Sequence, residues 1–266
     1  MRDEKLTYSD LQKLYSDDVL SAVLKASRGR NYLWHVALPK SGTTWLSNII
    51  GQMYQSRGGV VGQLVPDYGT RPQEIDPRYF INTAGKDVFF RQQHCVWSRY
   101  TERLVRLTQT KIVFQHRDLL DVLMSLRDHI DDAIHGSQVE KHTLPPGIKN
   151  LDEQQILDYV IDVQLPWYCT FLDGWMTSEL AGEPEIFHTV RYEELVDSPI
   201  ATLKKMVSAL NLGFEDEEIQ AAYNLAGEGF TRRNKGVIGR GKLTLSDIQL
   251  DRIKRIVQYY NLQLEL

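Results

Sequence analysis

The sequence predicts an α/β fold: a mostly parallel central sheet flanked by helices. Three observations carry this. Short runs at 32–38, 86–91, 111–116 and 186–190 read as strands, the first nearly continuously apolar, as a strand buried on both faces requires. Segments of helical apolar spacing alternate with them, the pattern of a parallel sheet covered on both sides. The segments at 39–45, 116–125 and 191–194 begin at strand ends and carry chemically useful side chains. In such sheets ligands sit at the carboxyl ends of strands.

In chain order, residues 3–28 read as one or two short helices. Strand 32–38 ends at Pro39, a loop follows, and residues 44–53 have helical spacing. The stretch 57–80, with its Gly, Pro and Asp, reads as loop. After the strand at 86–91 comes a helix at 99–108, then the strand at 111–116. Asp118 is placed to cap a helix over 119–129. Gly136, Pro145, Pro146 and Gly147 make 136–150 a loop suited to act as a lid. A long helix is expected over 152–180, bent near Pro166. Helices at 198–211 and 215–226 follow the last strand, then a basic, Gly-rich loop over 227–242. Ser246 caps a final helix with Ile253, Ile256, Val257 and Tyr260 on one side.

The bulk numbers agree with this reading. A chain of 266 residues with 42% hydrophobic and 25% charged residues can bury a sizeable core, and residues 1–266 are expected to form one domain. A net charge of −4 argues against a general binder of nucleic acid or anionic membrane. The two cysteines, Cys95 and Cys169, read as free thiols of a reducing compartment. The polar start, Met1 to Tyr8, has no signal-peptide character, and no apolar run is long enough to span a bilayer, so a cytoplasmic location is expected.

The string Pro39-Lys40-Ser41-Gly42-Thr43-Thr44-Trp45 opens a helix after a buried strand. Helix N-termini present unpaired N–H groups and a partial positive charge, so they hold anions. Gly42 allows close approach of the backbone, the hydroxyls of Ser41, Thr43 and Thr44 add donors, and Lys40 adds a point charge. The loop suits a phosphate. It is not a Walker A loop, because its lysine precedes its one glycine instead of following a second. That order weighs against an ATP-using kinase or phosphotransferase. A nucleotide-binding protein without turnover is the other alternative.

In His116-Arg117-Asp118-Leu119-Leu120-Asp121-Val122-Leu123-Met124-Ser125, Arg117 stands at a strand end and Ser125 follows it by about two helical turns. A guanidinium fork with a hydroxyl makes an oxyanion clamp. Arg191-Tyr192-Glu193-Glu194-Leu195 follows the strand at 186–190. Further on, Arg232, Arg233, Lys235, Arg240 and Lys242 are interleaved with Gly236, Gly239 and Gly241, a second basic segment suited to an anion.

Taken together, these segments resemble the sulfotransferases that use 3′-phosphoadenosine-5′-phosphosulfate (PAPS), over roughly residues 30–245. The 39–45 string is close to that family's Pro-Lys-x-Gly-Thr-Thr-Trp, which lies in a P-loop-like turn. Arg117, Asp121, Val122 and Ser125 keep the spacing of its Arg-x-x-x-Asp-Val-x-x-Ser motif. The resemblance implies that residues 40–44 bind the 5′-phosphosulfate, with Lys40 also catalytic, and that Trp45 stacks on adenine. It implies that Arg117 and Ser125 bind the 3′-phosphate, that Asp121 is structural, and that Tyr192 lies near adenine. Arg233, Asn234, Lys235 and Gly236 match the family's Arg-Lys-Gly loop over the 3′-phosphate. Asn234 stands there where arginine is usual, leaving Arg232 or Arg233 to compensate.

Sulfuryl transfer needs a base for the acceptor's proton and positive charge on the leaving oxygen. Of seven histidines, His94 follows a strand as the family's base does, although Gln92 stands where the family has lysine. Arg91 is a further source of charge. His35 and His188 lie inside strands and are expected to be packed, and His129 and His135 lie beyond the Arg117 helix. Asp128, Asp131 and Asp132, beyond Ser125, either favour a cationic or hydrogen-bonding acceptor or form a solvated helix end. The resulting expectation is direct transfer from PAPS to a hydroxyl or amine of a small molecule, leaving 3′,5′-ADP, with no metal.

Overall fold

The apolar strand runs and amphipathic helices assemble around one sheet in the computed structural model, which describes residues 8–64, 75–83, 85–135, 146–228, 238–260 and 262. Helices α1 (Tyr8–Gln12) and α2 (Asp17–Ser27) lead into β1 (Tyr32–Ala37), α3 (Thr43–Ser56), β2 (Val60–Gly62), α4 (Arg78–Ile81), β3 (Val88–Gln93), α5 (Arg99–Thr108) and β4 (Lys111–His116). Helices α6 (Leu119–His135), α7 (Glu153–Tyr159) and α8 (Leu165–Met176) precede β5 (Phe187–Arg191). The chain continues through α9 (Tyr192–Asp197), α10 (Pro199–Ala209), α11 (Asp216–Glu228), α12 (Arg240–Thr244) and α13 (Asp247–Tyr259).

Among the described residues the strands form one five-stranded sheet in the order β2-β3-β1-β4-β5. Every pairing is parallel. The single α/β domain of the sequence reading is the architecture found. All five strands therefore end at the same edge, and β1, the strand before the Lys40 loop, is central between β3 and β4.

Side chains alternate across a strand. Tyr32, Trp34 and Val36 of β1 face one core with Phe90, Phe114 and Trp175. Leu33 faces the other with Leu46, Ile49, Phe89, Val113 and Val190. Each such large buried side chain contributes about 1.5–3 kcal/mol by leaving water.

The structure corrects three expectations. The predicted loop at 57–80 contains β2 and α4. β2 is three residues long, and its backbone bonds come from pairing with Val88–Phe90, a partner that local pattern does not show. The predicted helix at 152–180 is interrupted by a π-helical turn at Val160–Gln164, not bent at Pro166. Pro166 lies in the first turn of α8, where a missing N–H is tolerated, and the widened turn before it accommodates the ring. Helix α6 runs beyond 129 because its apolar spacing continues through the buried Ile130. Asp118 caps it as expected, its Oδ1 accepting the Asp121 N–H at 3.0 Å. Ser246 caps α13 in a capping box with Gln249. Most of the expected lid, and Arg232, Arg233, Asn234, Lys235 and Gly236, lie outside the described residues.

Candidate active site

The loop after β1 is built by backbone that an ordinary residue resists. Lys40 has φ +67° and Gly42 φ +74°, both left-handed. Gly42 is the N-cap of α3, with Thr43 and Thr44 half-buried in its first turn. A Cβ on Gly42 would lie 2.6 Å from Cε2 of Tyr192. Gly213 is also left-handed but has nothing within 4 Å of such an atom. Gly213→Ala is expected to cost about 1 kcal/mol, from backbone strain alone. Gly42→Ala adds a clash with a buried ring and is expected to cost about 2–4 kcal/mol, a difference that urea unfolding reads directly.

Ser41 is fully buried, and its Oγ has no hydrogen-bond partner among the described residues. An unmet buried hydroxyl costs about 1–3 kcal/mol. At a helix N-terminus the partner chemistry that fits it is an anion's oxygen. The indole of Trp45 is half-buried, its ring centroid 6.2 Å from that of Tyr223.

At the end of β4, Arg117 is buried and donates from Nη2 to Asp121 Oδ2 at 3.2 Å. Its guanidinium lies over the Tyr192 ring, 4.4 Å from the centroid. Tyr192 thus joins the Gly42 loop to Arg117 from the start of α9. Asp121 also accepts the Gly239 and Gly241 N–H groups at 2.8 and 2.9 Å, tying α6 to the segment that opens α12. Ser125 is buried one turn further along that face of α6.

At the end of β3, His94 Nδ1 lies 2.7 Å from the Ala37 carbonyl oxygen. A carbonyl only accepts, so Nδ1 carries a proton, and in the neutral imidazole the lone pair is on Nε2. The neighbouring Gln93 is turned inward, its Oε1 accepting from Trp34 Nε1 and the Leu64 N–H at 3.0 and 2.9 Å. Gln92 is half-buried, with its backbone N–H donating to Ser47 Oγ at 3.1 Å. Arg91 is exposed.

Asp128 is engaged by Arg127 and Arg240, at 2.6 and 2.7 Å. Burial pushes its carboxyl up, but the two guanidiniums outweigh this and hold it below the usual carboxylate range. Asp132 is exposed, and Asp131 and His129 are half-buried. His188 is half-buried and His35 completely buried. Sequence reasoning treated His35 as packing. The structure makes it the centre of a hydrogen-bonded set with Ser47 and Gln115. The signal was a histidine inside an apolar strand and a glutamine inside another.

Ser41, Gly42, His94, Arg117 and Tyr192 stand at the carboxyl edge of neighbouring strands or at the helix starts that follow, whereas Ser125, Asp128, His129, Asp131 and Asp132 lie further along α6. The chain matches the family model described as "Sulfotransferase domain" over residues 31–235. No curated protein matches it. Among solved structures it is similar to mouse sulfotransferase SULT7A1 complexed with PAP, with 16% identity, a TM-score of 0.63, and 93% of this chain and 90% of that one covered. It is also similar to retinol dehydratase in complex with androsterone and inactive cofactor PAP, with 12% identity, a TM-score of 0.58, and coverage of 92% and 87%. In fold and in matched sequence, the chain belongs to the sulfotransferase domain family.

Proposed function

We propose that the chain transfers a sulfuryl group from PAPS to a hydroxyl or amine of a small polar or cationic acceptor, by direct in-line displacement. One observation carries this reading. The anion cradle of Ser41 and Gly42 and the basic nitrogen of His94 stand at one edge of the sheet on adjacent strands, and Arg117 follows β4 on the other side of β1. The unmet Ser41 hydroxyl fits the donor's phosphosulfate. That the two solved relatives hold PAP supports the same nucleotide here.

PAPS supplies the sulfuryl group. Lys40, Ser41, Gly42, Thr43 and Thr44 hold its 5′ end, Trp45 and Tyr192 flank adenine, and Arg117 and Ser125 take the 3′-phosphate. Arg233, Asn234, Lys235 and Gly236 are assigned to that phosphate from the motif alone. His94 Nε2 accepts the acceptor's proton, and Lys40 offsets charge on the leaving oxygen. A cytoplasmic site of action is part of the reading. Among the described residues no helix is long and apolar enough to cross a membrane.

Thermal melts with 3′,5′-ADP and with ATP plus Mg²⁺ test the nucleotide. Ligand at a hundredfold its Kd stabilises by about 2.7 kcal/mol. The expected result is a clear upward shift with 3′,5′-ADP alone, and a preference for ATP overturns the reading. A PAPS-turnover screen over alcohols, phenols and amines then identifies the acceptor.

A further inference from the structure

A buried polar chain runs beneath the candidate site and joins its two halves. The Gln92 N–H donates to Ser47 Oγ at 3.1 Å. Ser47 Oγ lies 2.8 Å from His35 Nδ1, and His35 Nε2 lies 2.9 Å from Gln115 Oε1. Gln115 Nε2 donates to the Ser41 carbonyl at 2.8 Å. His35, Ser47 and Gln115 are all buried.

The direction of every bond follows from its ends. The Ser41 carbonyl only accepts, so the Gln115 amide nitrogen faces it and the amide oxygen faces His35. His35 therefore carries its proton on Nε2. Its Nδ1 accepts the Ser47 hydroxyl hydrogen, and the Ser47 oxygen is left to accept from Gln92. A neutral imidazole satisfies the chain throughout. An imidazolium would set an N–H against the Ser47 hydroxyl hydrogen and force that serine to turn. Burial is the main cause that pushes His35 down to about 3, with nearby His94 adding to it whenever that imidazole is protonated, against the pull of Gln115.

The two ends of this chain are the two halves of the proposed reaction. Ser41 C=O belongs to the peptide that sets the Gly42 N–H, and so the anion cradle. Gln92 N–H lies two residues before His94. We propose that His35, as the neutral Nε2–H tautomer, is a positioning residue that locks the phosphosulfate loop to the strand end carrying the catalytic base. This rests on the sulfotransferase reading. It adds a residue that touches no reactant and acts through Ser47 and Gln115.

The test separates the two arms. Gln115→Leu cuts the loop arm and is expected to weaken the Kd for 3′,5′-ADP by about tenfold. Ser47→Ala cuts the β3 arm and is expected to lower kcat by about tenfold, with that Kd unchanged. His35→Leu loses both. In the His35→Leu background, adding Ser47→Ala has little further effect on kcat, because the arm is already broken. His35→Gln, which can still donate to Gln115, recovers the nucleotide Kd.

Variants that melt earlier yet keep wild-type kcat and Kd when folded overturn the proposal, as do additive effects of Ser47→Ala and His35→Leu. A nitrogen-15 imidazole spectrum of the wild type at neutral pH, with His35 assigned by its loss in His35→Gln, reads the tautomer without any reaction. A protonated Nδ1 overturns the coupling. If the wild type fails to bind 3′,5′-ADP, the nucleotide reading fails, and a protonated Nε2 with a bare Nδ1 still supports the chain described here.

Discussion

His94→Ala is expected to lower turnover by about 10²–10⁴-fold while changing the Kd for 3′,5′-ADP by less than about twofold. The split follows from the geometry. His94 is held by the Ala37 carbonyl at the end of β1, so its removal is expected to take away the proposed proton acceptor and to leave the backbone of the Ser41–Gly42 turn in place. In the neutral imidazole the Ala37 bond leaves Nε2 as the nitrogen that could take the proposed proton. Steady-state kinetics with titration calorimetry check both halves. Turnover preserved in the variant removes His94 from the mechanism. Turnover lost together with nucleotide affinity marks it as structural.

Asp121→Ala is expected to be the most destabilising single substitution at the site. The carboxylate is 1% exposed and takes three donors: Arg117 Nη2, the Gly239 N–H and the Gly241 N–H. Alanine leaves a buried guanidinium and two amides without that acceptor, a loss of about 3–5 kcal/mol. For a chain of this size that lowers Tm by on the order of 10 °C, which calorimetry measures. Nucleotide affinity falls with it, because Arg117 loses the partner that aims it. Asp121→Asn keeps the shape but turns one oxygen into a donor facing donors, and is expected to recover less than half of the loss. A Tm within about 2 °C of wild type for the alanine variant contradicts this account.

The strands at the centre of the sheet were legible because burial on both faces demands apolar runs. The segments over 32–38 and 111–116 return as β1 and β4 nearly residue for residue. β2 was not legible. Three residues at a sheet edge carry too little pattern, and what makes Val60–Gly62 a strand is the neighbouring Val88–Phe90 backbone. The interruption at Val160–Gln164 was misplaced for a related reason. Proline marks where a helix cannot donate, but the chain absorbs the ring in the preceding turn.

At the candidate site, the sequence by itself determined the residue types and their order: a Lys-Ser-Gly-Thr-Thr loop after one strand, an arginine after another, a histidine after a third. These are local chemistries, and their spacing survives without knowledge of the fold. Only the tertiary structure decided which groups meet. It set the Tyr192 ring against Gly42 and beneath Arg117, gave Asp121 two amides from a segment more than a hundred residues away, and aimed Nδ1 of His94 at the Ala37 carbonyl. It also turned His35 from a packed side chain into the centre of a hydrogen-bonded chain. The physical reason is common to all four. A hydrogen bond or ring contact depends on distance and direction between residues far apart in sequence, and those are fixed only when the strands pair and the helices pack over them.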